Sequence, residues 1–255
     1  MELVEYSVSD DVAVITLNRP PVNALNSVLI ADIHAAVVLA EDPSVRAVII
    51  TGAPHFAAGA DITGFQKTFE SGGSERQASG LSEAIARLAN LEKPTIAAVN
   101  GFALGGGLEL AMGADFRYLA ESARVGQPEI LLGIIPGAGG TQRLARLVGP
   151  QKCKELCMTG RHVKADEALA IGIADKVAPD DELADLAMED ALAFAKGPTQ
   201  AYSAVKRSVS RGFDRSLDEG LAIEAEQFAR AFASQDARIG VAAFLAKEKP
   251  EFTGV

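Results

Sequence analysis

Two short runs constrain this chain more than any other feature. Ala47-Val48-Ile49-Ile50-Thr51 and Pro94–Val99 carry no charge and almost no polarity on either face of an extended pleat. A strand that is apolar on both faces has to be covered on both, the pattern of a parallel sheet packed under helices. The chain around them supplies the helices. Ser27 is placed to cap a helix running to about Ala40, with Leu29, Ile33, Ala36, Val37 and Ala40 on one face, and Ser82–Leu91 reads as another. Leu3–Val8 and Val12–Leu17, split by Ser9-Asp10-Asp11, read as a hairpin. Phe116–Ala120 and Ala123–Gly126 read as further strands, and Gly105-Gly106-Gly107 leads into a short helix. From Thr141 onward the pattern is almost wholly helical, with breaks at Gly149, Gly172 and Gly197-Pro198. The fold class is therefore α/β, followed by a helical C-terminal part. Ser71-Gly72-Gly73-Ser74 is read as a mobile loop.

Charge and motif content remove several functions. With 24 Lys+Arg against 34 Asp+Glu the formal charge is −10, which argues against nucleic acid, whose phosphates need clustered cations. The N-terminal Met1-Glu2-Leu3-Val4-Glu5 lacks the regions of a signal peptide, and no uncharged run reaches the length of a membrane span. The expected location is the cytoplasm, away from membranes. Neither a P-loop, a GxGxxG fingerprint, a GxSxG elbow nor HExxH is present. Cys153, Leu156 and Cys157 share a helix face, so the two thiols read as small apolar residues rather than metal ligands. No metal is expected. His34, His55 and His162 stand isolated.

What stands out is three uncharged, Gly-rich turns: His55–Asp61, Asn100–Glu109, and Gly126–Glu129 running on to Ile135–Gly140. Glycine lets a backbone approach a ligand closely and present its N–H groups. Amides placed at a helix N-terminus favour developing negative charge, as an oxyanion hole does. Only two carboxylates enter these runs beyond the turn-ending Asp61, which reads as a helix cap. Glu109 lies in the first helical turn after Gly106, and Glu129 sits in an otherwise uncharged stretch. Carboxylates among apolar groups, if close to one another, have their pKa values raised and driven apart, as a general acid and general base require, whereas the spacing alone fits two unrelated surface or capping glutamates equally well.

At these residues the sequence resembles the crotonase (enoyl-CoA hydratase/isomerase) family. The matching segments are Leu17-Asn18-Arg19-Pro20 with Asn23-Ala24-Leu25, Phe56–Asp61, Lys93–Gly101, Ala103–Leu110, Gly126–Glu129 and Ile135–Leu144. The resemblance implies a crotonase-like spiral of ββα units over residues 1–195. Residues 196–255 would form a helical region for trimerisation and active-site cover, in a homotrimer or a dimer of trimers. It implies that the amides of Ala60 and Gly106 hold a thioester oxygen, and that Glu109 and Glu129 are the catalytic pair. Ala58, Asp61 and Ile62 would line the coenzyme A site with the backbone of Val22 and Ala24 nearby, and Pro136 and Gly137 would border the acyl group. The Phe65–Gly80 loop would shape the acyl tunnel.

The implied reaction is reversible syn hydration of a trans-2-enoyl-CoA to a 3-hydroxyacyl-CoA, in fatty-acid β-oxidation or related acyl-CoA metabolism. No cofactor is expected beyond the coenzyme A carried by the substrate. The alternatives are a Δ3,Δ2-enoyl-CoA isomerase, which relies on the carboxylate at Glu129 alone, and a non-catalytic CoA-binding subunit. Retention of both glutamates favours hydration.

Overall fold

The computed structural model describes residues 1–63 and 76–255, with side chains again from Gly80 onward. The Ser71–Ser74 loop and most of Phe65–Gly80 lie outside the described residues.

The hairpin forms as read. β1 (Val4–Ser9) pairs antiparallel with β2 (Val12–Leu17), from Val4 opposite Leu17 to Ser9 opposite Val12. Its two-residue loop has positive φ at both positions, Asp10 at 49° and Asp11 at 63°. A two-residue hairpin with that backbone matches the twist of the strands, and Asp is among the few residues that tolerate it. The two apolar runs become β3 (Ala47–Gly52) and β4 (Thr95–Val99), the centre of a six-stranded sheet ordered β1-β2-β3-β4-β6-β9. Here β6 is Phe116–Ala120 and β9 is Lys176–Ala178. All pairings after β1–β2 are parallel. Every residue of β4 is buried.

α1 (Ser27–Leu39) turns Leu29, Ile33, Ala36 and Val37 inward and packs on β1, β2 and α2 (Arg76–Ala89). Its cap corrects the sequence reading: Asn26, not Ser27, accepts the Leu29 N–H, at 2.8 Å. Ser27 already has helical geometry, so its hydroxyl is one residue too late to reach the free third amide. Three short strands form a second sheet, and of these the sequence pattern marks only Ala123–Gly126. β5 (Phe102–Leu104) lies parallel to β7 (Arg124–Gly126), which pairs antiparallel with β8 (Val163–Lys164).

The chain beyond Gly140 is mostly helical but less completely so than the sequence pattern suggests, because β8 and β9 interrupt it and β9 adds an edge strand to the six-stranded sheet. α3 (Gly106–Ala111), α4 (Gly140–Val148), α5 (Pro150–Thr159) and α6 (Ala165–Ala170) precede α7 (Leu183–Ala195), which lies against β2, β3, β4, β6 and β9. α8 (Thr199–Gly212) is tied to the core by Lys206, whose ammonium reaches Asp115 Oδ2 at 2.8 Å. α9 (Leu217–Ala233) starts with a capping box between Ser216 and Glu219, and α10 (Gln235–Ala246) follows. Along α9 the one buried residue is Gln227, whereas Phe228 and Phe232 stand two-thirds exposed. No helix among the described residues is long and apolar enough to cross a membrane.

Candidate active site

The three Gly-rich turns leave the sheets at strand C-termini, after β3, after β4 and after β7, where ligands gather in open α/β folds. The first turn is held from behind by Asn23, a buried residue at φ 52°, whose amide donates to the carbonyls of His55 at 2.8 Å and Phe56 at 3.3 Å. Leu25 then bridges the chain on either side of Ala60: its N–H donates to Gly59 O (2.8 Å), and its carbonyl accepts from Asp61 N (2.9 Å). A parallel bridge of this kind turns the Ala60 N–H away from Leu25. Among the described residues that N–H has no acceptor.

The second turn ends at Gly105, which has φ +52° and caps α3. Gly106 is the first helical residue, so its N–H has no intrahelical partner. A side chain at Gly107 would run into the Ala57 carbonyl, which accounts for the glycine that follows there. All six residues of α3 are buried, Glu109 among them at 3% exposure.

The third turn carries Glu129 on a 3-10 helix, Pro128–Leu132. A Cβ at Gly105 would lie 2.9 Å from Glu129 Oε1, and one at Gly106 would lie 3.9 Å from Glu109 Oε2. The two carboxylates thus close on consecutive residues that have no side chains. Ala60, Gly106, Glu109 and Glu129 line one cavity of about 1130 Å³, together with Ala58, Asp61, Ile62, Gly137 and the Ser27–His34 face of α1.

The two glutamates have unlike surroundings. Glu109 Oε1 accepts from Ala138 N and Gly140 N, both at 2.7 Å. Burial holds its pKa above the usual carboxylate value, and those two amides and the nearby Arg143 guanidinium offset only part of that rise. Glu129 is pushed up to about 7, chiefly by burial and further by the charge of Glu109, with its own backbone N–H opposing. The fully buried Gln127 sets its side-chain amide against the carboxylate, and assigned with the nitrogen on that side, the orientation that satisfies both ends of the amide, it donates to both Glu129 oxygens at 2.9 and 3.1 Å.

Other expected positions fall at varying distances from this cavity. Val22, Ala24 and Pro136 are not among its lining residues. Val22 stands directly behind it, its carbonyl accepting from Ala58 N at 2.9 Å, and the Ala24 carbonyl accepts from Arg19 at 2.7 Å. Pro136 packs against Gly140. Asp61 accepts from Thr63 N at 3.1 Å, and its other oxygen pairs with Arg19 at 2.7 Å, while the helix it is expected to cap lies outside the described residues. His55 finds the partner that sequence does not supply: its Nδ1 accepts from Phe102 N (3.2 Å), and its ring stacks on Phe102. Cys153 and Cys157 are free, with Sγ atoms 4.0 Å apart on one side of α5. Sequence reasoning places Gln127, Ala138 and Gly140 in the third turn without giving them these partners, and it does not single out Arg143. Gln127 leaves a further signal, as a lone amide side chain one residue before the Pro-Glu pair.

The sequence model of the enoyl-CoA hydratase/isomerase family matches residues 7–255. The chain belongs to that family. Within it, the chain is 44% identical to the short-chain-enoyl-CoA hydratase of Clostridium acetobutylicum, over 94% of this chain and 93% of that one. It is equally 44% identical to the crotonyl-CoA hydratase of Syntrophomonas wolfei, over 95% of each. Among solved structures, an enoyl-CoA hydratase subunit from Geobacillus kaustophilus superimposes with a TM-score of 0.92 at 39% identity, covering 99% of this chain and 98% of that one. The fold is thus the crotonase fold that the family shares.

Proposed function

We propose that this chain is an enoyl-CoA hydratase that adds water reversibly to the double bond of a trans-2-enoyl-CoA. One observation carries the reading: a buried and a half-buried carboxylate with different hydrogen-bond sets share one cavity with two backbone amides that have no acceptor among the described residues.

The thioester oxygen accepts from Ala60 N and Gly106 N, which stabilise the negative charge that the oxygen gains in the transition state. Glu109 is the base. Two amide donors and a neighbouring cation offset part of the burial that raises its pKa, and as the carboxylate it takes a proton from water as the hydroxide adds to the β carbon. Glu129, with a pKa near neutrality, is the acid that delivers a proton to the α carbon. Water supplies every atom added and no electrons are transferred, so the reaction needs no cofactor beyond the coenzyme A of the substrate.

Ala58, Asp61 and Ile62, backed by Val22 and Ala24, hold the coenzyme A portion, and Gly137 with Pro136 behind it borders the acyl group. The exposed aromatic face of residues 196–255 is the oligomerisation surface, in a trimer or a pair of trimers, and the enzyme works in the cytoplasm on fatty acyl-CoA metabolism.

The test is the fall in enoyl-thioester ultraviolet absorbance when crotonyl-CoA is added. Wild type should outpace the Glu109→Gln/Glu129→Gln double variant by several orders of magnitude, and equal rates would overturn the reading. The near-neutral pKa of Glu129 also suits a proton shuttle between the α and γ carbons. A Glu109→Gln variant that keeps moving the double bond of a 3-enoyl-CoA would establish isomerisation as a second activity of the same site.

A further inference from the structure

The turn that holds Glu109 is itself held. Ala138 and Gly140 give their N–H groups to Glu109 Oε1, so the aim of both depends on the backbone of residues 138–140. That backbone contains Gly139 at φ +105°, a conformation with no intrinsic preference to persist. What lies on it is Arg143, one helical turn into α4. Its Nη1 donates to the Ala138 carbonyl at 3.3 Å, its backbone N–H donates to the Gly139 carbonyl at 2.8 Å, and a Cβ on Gly139 would collide with the guanidinium.

We propose that Arg143 is a positioning residue for hydration: it clamps the Ala138–Gly140 turn so that both amides converge on Glu109, and its charge favours the carboxylate that acts as base. This rests on the assignment of Glu109 as base. Arg143 is not among the residues lining the cavity, and no ion pair within 4 Å joins it to Glu109 among the described residues.

The other charges around Glu109 do not substitute for it. From the 3-10 helix comes Glu129, of the same sign. From α4 comes Arg146, whose guanidinium is engaged with Asp214 at 2.8 Å. From α2 come Glu83, which lines the same cavity, and Arg87, which is paired with Glu41 at 2.6 Å. From α5 come the thiols of Cys153 and Cys157, and the Cys157 thiol is pushed up to about 12, so it is neutral. Asp61 and His34 lie along the cavity wall. Among the described side chains, Arg143 is therefore the cation whose charge lowers the Glu109 pKa.

The test compares wild type with Arg143→Met, which keeps the aliphatic stem, and Arg143→Lys, which keeps the charge but loses the fork. For Arg143→Met the acidic limb of the kcat/KM profile with crotonyl-CoA should move up by about half to one pH unit, with kcat reduced roughly tenfold or more and KM little changed. Arg143→Lys should return the limb toward wild type while recovering only part of kcat, because an ammonium does not reproduce the planar contact. Carboxyl carbon NMR titration of Glu109 in the same three proteins gives an activity-independent reading. If the wild type does not hydrate crotonyl-CoA, the base assignment fails, yet the titration still decides whether Arg143 sets the Glu109 pKa. An unshifted titration in Arg143→Met, or a lysine variant that behaves as the methionine one, would overturn the proposal. If Arg143→Met does not fold, Arg143→Lys alone decides: a wild-type kcat there removes the clamp.

Discussion

Two helices of this molecule treat burial in opposite ways. α3 is only six residues long, yet it is buried over its whole length, including the carboxylate of Glu109. α9 runs for seventeen residues and buries only Gln227, leaving Phe228 and Phe232 outward with their rings stacked 5.6 Å apart. Burying a carboxylate costs free energy, and α3 offsets that with two backbone amides on one oxygen. Exposing two phenylalanines also costs free energy, and among the described residues of this chain nothing covers them. The contrast separates a helix whose environment is completed within one chain from a helix whose apolar face is left open, the face that the proposed assembly would cover.

The comparison can be broken at either end. Glu109→Gln should cost the most, on the order of a thousandfold in the hydration rate, as expected for loss of a positioned base. Its thermal unfolding and assembly should stay near wild type, because the amide oxygen still accepts from Ala138 and Gly140. Gly107→Ala attacks the same helix through packing. The added methyl meets the backbone carbonyl of Ala57, which has no freedom to yield, so stability should fall by about 2 to 4 kcal/mol in a denaturant titration.

At the other end, Phe228→Asp with Phe232→Asp should leave the secondary structure intact by circular dichroism and convert the assembly to a lower mass in light scattering. Retention of wild-type mass would show that another surface joins the copies. The smallest effect concerns pH. Glu129 holds its proton up to about 7 in the fold, whereas an unfolded glutamate releases it near 4.5. A group with a raised native pKa adds stability below its unfolded value and loses that contribution as pH climbs through the native one. Glu129→Gln should therefore overtake wild type in melting temperature as pH rises from 5 to 8.

How much of the molecule is legible in the chain follows a physical rule. β3 and β4 can be read because a short run apolar on both faces fits little besides a strand covered on both sides. The three turns can be read because glycine and the absence of charge leave a compositional mark. The pairing of Glu109 with Ala138 and Gly140 cannot, since it joins residues about thirty positions apart through backbone groups that every residue possesses. Gly137–Gly140 does stand out, but as a turn for a ligand, and its amides are directed instead to a side chain of the protein itself. The cap of α1 falls one residue from where the sequence puts it, because Asn and Ser are near-equal N-caps and only geometry separates neighbours. Gln127 is hard to recognise in sequence because a buried glutamine reveals its role only once its partners are located.

Gly105 has a consequence for how this site can vary. Its missing side chain and the Glu129 carboxylate claim the same volume, so the two positions are not independent. A methyl at residue 105 would displace the carboxylate and strain a backbone held at φ +52° while leaving the glutamate in the sequence. A chain carrying that exchange would keep both acids in any motif search and still lack the second as a working group, so residue 105 acts as a veto on residue 129.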